Sequence, residues 1–113
     1  MTVKVLAERL QLRAITMPDP DREVTGGYAG DLLSWVMGRA SEGDAWVTIM
    51  TNINVIAVAS LSDVACVVLA EGVSVPEDVL AAASAKGINL LSDPRSTFAL
   101  CEVIGAALRE DAV

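Results

Sequence analysis

Polar residues able to contact a ligand follow three apolar runs of the chain: Thr51-Asn52 after AWVTIM, Glu71-Gly72 after ACVVLA and Ser92-Asp93 after INLL. If the runs are strands of one parallel sheet, the three pairs share its carboxyl rim, where open α/β sheets bind ligands. Hydroxyls, an amide and carboxylates there suit a small polar molecule, and helix N-terminal N–H groups suit an anion. The same residue types also serve as plain helix caps, so both readings stand. A further stretch, DREVTGG at residues 21–27, could bring Thr25, Gly26 and Gly27 beside that rim. The candidate ligand set is therefore Thr25, Gly26, Gly27, Thr51, Asn52, Glu71, Gly72, Ser92 and Asp93.

Gly-Gly after Thr admits a phosphate loop, a close approach of another backbone, or a bent strand. A phosphate loop opens directly into a helix, whereas the next helical pattern starts near Asp31, several residues on. A bent strand or bulge is the better account. Gly26 and Gly27 are expected to permit close backbone approach, and Asp21 and Arg22 to fix the preceding Pro18-Asp19-Pro20 turn through side-chain bonds.

Covalent and acid–base chemistry are poorly served. The chain has no His, the usual general base and metal ligand. It has no nucleophile elbow, Walker loop or dinucleotide fingerprint. Cys66 lies in a buried-strand pattern, unlike an activated thiol. No catalytic residue, metal site or cofactor is expected.

The elements that must position the rim follow from periodicity. Thr2 caps a first helix whose Val3, Leu6, Ala7 and Leu10 share a face. Residues 12–17 read as a strand ending at the proline turn, and 23–28 as a second strand containing the glycines. A helix over 32–39 has the stripe Leu32, Leu33, Val36 and Met37. Strands over 45–50, 65–70 and 88–91 then alternate with helices over 54–61, 76–86 and 95–110, Gly87 being a helix stop. Strand–helix alternation predicts one domain, residues 1–113, with a mainly parallel sheet between helical layers: an α/β three-layer sandwich.

Composition narrows the partners. Of 113 residues, 53% are apolar and only 4% aromatic, and the net charge is −7. Between Ala40 and Pro94 the only basic residue is Lys86, against seven acids. That excludes a counterion-release grip on nucleic acid. The longest apolar run is broken by Ser60, Ser62 and Asp63, so no membrane span is expected. Cys66 and Cys101 read as reduced thiols, and the expected location is the cytoplasm.

The last helix carries an assembly signal. Arg95, Glu102 and Arg109 form one narrow polar line on an otherwise apolar cylinder. One sheet face covers about half of a helix, so a second cover is expected: a neighbouring helix or, preferably, a second subunit. Trp35 lies off its helix's apolar stripe and reads as a contact residue, whereas Trp46 reads as core. Trp35, Phe98, Cys101, Gly105 and Leu108 are the interface candidates.

At Asp21, Arg22, Thr25, Gly26 and Gly27 the sequence resembles the DRTGG domain family. The likeness continues through TGGYAGDLLSWVM, EGDAWVTIMTNINVIAVASL, AEGVSVPEDVL and KGINLLSDPRSTFAL. The resemblance implies a fold similar to the N-terminal domain of the bacterial phosphocarrier-protein kinase/phosphorylase, without its kinase activity. It implies a non-catalytic, homodimeric regulatory or interaction module, with a protein partner or a small-molecule ligand. The alternative is a sensor of an adenine nucleotide or other phosphorylated metabolite, bound at the strand ends.

Overall fold

A computed structural model describes residues 1–112. Its elements are α1 (Val3–Leu10), β1 (Arg13–Thr16), β2 (Gly26–Ala29), α2 (Leu33–Arg39), β3 (Asp44–Thr48), α3 (Asn54–Ser62), β4 (Cys66–Leu69), α4 (Glu77–Lys86), β5 (Leu90–Ser92) and α5 (Thr97–Asp111). The five strands form one sheet in the order β1-β5-β4-β3-β2. Strands β2 to β5 are parallel, and β1 closes one edge antiparallel to β5. The expected mixed α/β, mainly parallel architecture is present.

The central strands are buried on both faces because helices cover both. On one face Ala45, Val47, Cys66, Val68 and Leu91 meet α1 and α5 through Leu6, Leu100 and Ile104. On the other, Trp46, Val67, Leu69 and Leu90 meet α2, α3 and α4 through Val36, Ile56 and Val79. Trp46 is fully buried, as its position in AWVTIM predicts, and its indole N–H donates to the Gly30 carbonyl at 3.0 Å.

Local signals terminate the helices. The Thr2 hydroxyl accepts from the Val5 N–H, and Ser96 caps α5 by accepting from Ala99 N. Gly87 ends α4 in the left-handed region at φ 70°, where glycine carries no Cβ penalty.

Two expectations need correction. The second strand starts at Gly26 rather than Glu23, and Glu23 instead forms an isolated bridge with Thr2. The stripe of α2 is not buried as a unit. Val36 is enclosed and Leu33 half-buried, but Leu32 and Met37 are exposed. A seven-residue helix beside an edge strand has room to bury little more than one turn's inward residue. Asp31 lies just before α2 and bonds across to the neighbouring strand. Its Oδ1 accepts from Thr48 Oγ1 at 2.7 Å and from Ile49 N at 3.0 Å, tying the chain before α2 to the end of β3.

The proline turn is held by the side chain of Asn89. Asn89 is buried beside β5, accepts from Asp19 N at 3.0 Å, and donates to the carbonyls of Asp19 and Ala65 at 2.7 and 3.0 Å. Truncating it orphans buried groups, so Asn89→Ala should lower unfolding stability by about 1–3 kcal/mol. Urea denaturation checks this, and an unchanged midpoint would show that water replaces the amide without loss.

Candidate functional site

The DREVTGG segment knits three elements together at the amino end of the sheet. Val3 N donates to the Arg22 carbonyl at 2.9 Å and Val24 N to the Met1 carbonyl at 2.8 Å, so the first half runs alongside the entry to α1. The Arg22 guanidinium reaches Asp63, donating from Nη1 to Oδ1 at 3.0 Å and from Nη2 to the carbonyl oxygen at 2.8 Å. Asp63 is the left-handed C-cap of α3 at φ 53°, so Arg22 places its charge where helix carbonyls lack partners.

The second half pairs with β3. Thr25 N donates to the Gly43 carbonyl at 2.9 Å, and Gly26 and Gly27 enter parallel register with Asp44 and Ala45. A Cβ on Gly26 would sit 2.8 Å from Asp44 Oδ1, whereas one on Gly27 would meet the Ala45 carbonyl at an ordinary 3.5 Å. Asp44 is buried and its Oδ2 accepts from Ser41 N at 2.8 Å, so it has little freedom to yield. Gly43, at φ 84°, lies against the Thr25 side chain with no room for a Cβ. Close approach is thus the role of Gly26, within a regular strand rather than a bulge. The expected Asp21 side-chain bond is not found among the described residues. Asp21 is exposed, and the turn uses Asn89 together with Arg22 N donating to the Asp19 carbonyl at 3.3 Å.

This placement separates the nine ligand candidates. In parallel register Gly26 and Gly27 oppose the first residues of β3, so Thr25, Gly26 and Gly27 lie at the opposite end of the sheet from the carboxyl rim. Four rim residues do converge. Gly72 N donates to the Asp93 carbonyl at 3.1 Å, and Glu71 N to the Arg95 carbonyl at 2.9 Å. Glu71 and Gly72 both take left-handed φ values, 64° and 66°, to make that turn. Ser92 is the last residue of β5. Thr51 and Asn52 follow β3, where the Asn52 side chain accepts from Asn54 N at 2.9 Å and serves the local turn.

Much of the rim's charge is already committed. Glu71 Oε2 accepts from Thr97 N at 3.0 Å in the first turn of α5. Asp93 Oδ1 accepts from Arg95 N and Arg95 Nε, both at 2.8 Å, and Arg95 Nη2 continues to the Leu10 carbonyl at 2.5 Å. These bonds from Arg95 hold the Asp93 carboxyl below the usual carboxylate range, although its burial acts the other way. Elsewhere on the rim a polar groove of about 290 Å³ lies over the β1–β5 edge, bringing Gly72 and Ser92 together with Arg13 and Ser74.

The interface candidates divide between the faces. Cys101, Gly105 and Leu108 line an apolar groove of about 320 Å³ between α5 and β2, floored by Gly27, Ala29 and Ala45. Phe98 precedes them on the same helix and is 80% exposed. Trp35 is 52% exposed as expected, but α2 lies across the sheet from α5, and the Arg39 guanidinium stacks on its ring at 3.8 Å from the centroid. One flat interface cannot hold both Trp35 and the α5 stripe. Cys66 and Cys101 are free thiols. Burial pushes the Cys66 thiol up to about 12 and raises Cys101 too, so neither is a ready thiolate. Among the described residues no three His, Cys, Asp or Glu side chains converge to hold a metal, and no helix is long and apolar enough to cross a membrane.

Sheet order and layering define a mixed α/β domain whose glycine motif is consumed by packing. Among solved structures it is similar to the CBS and DRTGG domains of the regulatory region of Clostridium perfringens pyrophosphatase, crystallised with the activator diadenosine tetraphosphate. The TM-score is 0.65 at 14% identity, over 87% of this chain and 43% of that one, so the chain spans less than half of its neighbour's length. The likeness is one of fold and supports a DRTGG-like fold. No protein-family model and no curated protein matches the sequence.

Two expectations follow. Gly26→Ala should destabilise by about 1–3 kcal/mol through overpacking, while Gly27→Ala should be neutral or stabilise by up to about 1 kcal/mol. Equal losses in thermal unfolding would contradict the contact with Asp44. Because the folded Asp93 carboxyl sits below its unfolded value, its stabilisation is full above about pH 4 and is lost as pH falls through the folded value. Asp93→Asn should therefore cost about 1–3 kcal/mol at pH 7, with the gap to wild type closing in acid. A gap of equal size at pH 7 and pH 3 would refute that assignment.

Proposed function

We propose that this chain is a non-catalytic regulatory or interaction module that works as a homodimer, paired through α5 and the β2 edge. The observation that carries the pairing is a knob and a hole on one helix stripe. Phe98, Cys101, Gly105 and Leu108 recur at helical spacing, with the exposed phenyl at one end and the apolar groove at the other. Seven residues separate Phe98 from Gly105, about 10 Å along the axis. Two antiparallel α5 helices related by a two-fold axis would set each Phe98 into the partner's groove. That self-complementarity is what an isologous interface requires. Burying the phenyl would contribute roughly 1.5–3 kcal/mol per copy. The small residues Gly27, Ala29 and Gly105 leave room for it.

The regulatory part rests on the fold's likeness to a pyrophosphatase regulatory region. From that neighbour we take the role rather than its diadenosine tetraphosphate. The non-catalytic part rests on the absence of His from the sequence and on two thiols shielded from ionisation. A cytoplasmic setting is consistent with the free cysteines. Trp35 lies outside this pairing face, with its indole stacked under Arg39 on the opposite side.

Light scattering between about 1 and 100 μM, concentrations typical for weak to moderate dimers, should give the dimer mass for wild type. Phe98→Glu should give the monomer mass with an unchanged melting temperature at low concentration. A wild-type monomer at the highest concentration would overturn the proposal.

A further inference from the structure

The groove over the β1–β5 edge lies on the face away from the α5 stripe, and its chemistry differs from that of the pairing face. Arg13 and Ser92 are directly opposed in the antiparallel pair, so their side chains leave the same face. Ile15, two residues along β1, shares that face and packs against the Trp46 cluster. The 72–75 loop and the start of α4 form the facing wall, with Ser74 from the loop and Leu80 from the helix. A guanidinium and two hydroxyls thus stand around the half-buried Ile15 and Leu80 side chains in a space of about 290 Å³.

Arg13 differs from the other guanidiniums near the sheet ends. Arg22 is paired with Asp63, Arg95 with Asp93, and Arg39 with the Trp35 ring. Arg13 makes no ion pair among the described residues and is exposed. A planar guanidinium beside hydroxyls matches a carboxylate bidentately. The surroundings also set the ligand's charge. Glu77 and Asp78 occupy the first turn of α4, the helix that supplies Leu80, although neither lines the groove. They would repel a phosphate dianion or a polyphosphate more strongly than a single negative charge. The volume of about 290 Å³ falls just below the usual range of small-molecule sites, suited to a short body rather than a dinucleotide.

We infer that this groove binds a small monocarboxylate with a short branched or cyclic apolar body, its carboxylate on Arg13 and the Ser74 and Ser92 hydroxyls. The inference uses Gly72 and Ser92 of the strand-end ligand reading and changes its ligand class from phosphorylated metabolites to carboxylates. It does not depend on pairing through α5.

The test is amide-resonance titration of the full chain with isovalerate, benzoate, inorganic phosphate and AMP as probes. Isovalerate or benzoate should saturably shift the amides of Arg13, Ser74 and Ser92, and Arg13→Gln should weaken that binding at least tenfold at unchanged molar mass and melting temperature. Saturable shifts there from AMP or phosphate but not from the carboxylates would overturn the carboxylate assignment while keeping a strand-end ligand site. Shifts from none of the four probes, or shifts indifferent to Arg13→Gln, would overturn both. Since molar mass is read separately, a monomeric wild type would remove the pairing proposal without touching this one.

Discussion

The contact on which the architecture depends is the Asp44 carboxylate held against a glycine. Asp44 opens β3, is buried, and has one oxygen on the Ser41 N–H and the other against Gly26. A buried carboxylate is costly unless its hydrogen bonds are met, and here the neighbouring strand can come close only because it begins with a residue lacking a Cβ. From that point β2 runs in register along β3 from Gly26 to Ala29. The same junction carries Gly43 N to the Asp63 carbonyl, and Asp63 also receives Arg22. One corner therefore fixes the edge strand, the end of α3 and the segment that enters α1.

The two faces of the sheet are unequally finished, and this governs what remains for function. Three helices cover the Trp46 face, whereas α1 and α5 alone cover the other. On that second face Gly27 and Ala29 of β2 are exposed beside α5. A parallel sheet is ordinarily covered on both faces, and the chain supplies too little cover at this edge. An exposed phenyl on the adjoining helix adds to the same apolar surface, the kind of patch that marks an association site.

Much of the fold was legible in the sequence, and the failures share a cause. Strand–helix alternation, the buried Trp46 and Cys66, the Thr2 cap and the Gly87 stop all follow from neighbours a few residues apart. Asn89 was not legible because its partners lie at Asp19 and Ala65, 70 and 24 residues away. A lone Asn inside an apolar strand was the available signal, since a buried amide must find partners. The exposed Leu32 and Met37 show the same limit. Periodicity gives the apolar side of a helix but not the number of turns that the sheet beneath has room to cover.

The glycine motif shows why residue types that resemble a ligand site can be exhausted by the fold. In DREVTGG the cation neutralises a helix end, the Thr packs on a left-handed glycine, and the first strand glycine admits a carboxylate. A phosphate would need unpaired N–H groups at a helix start. The N–H of Thr25 is spent on the Gly43 carbonyl, and the glycines lead into a strand. The motif also opens β2 at the amino end, whereas ligands of parallel sheets collect beyond the carboxyl ends. There, Glu71, Asp93 and Arg95 are bound up in joining β4 and β5 to α5 and α1, while Arg13 makes no ion pair among the described residues. Residues that a sequence pattern singles out can thus be the ones a fold has used up, with ligand chemistry left to a side chain no motif contains.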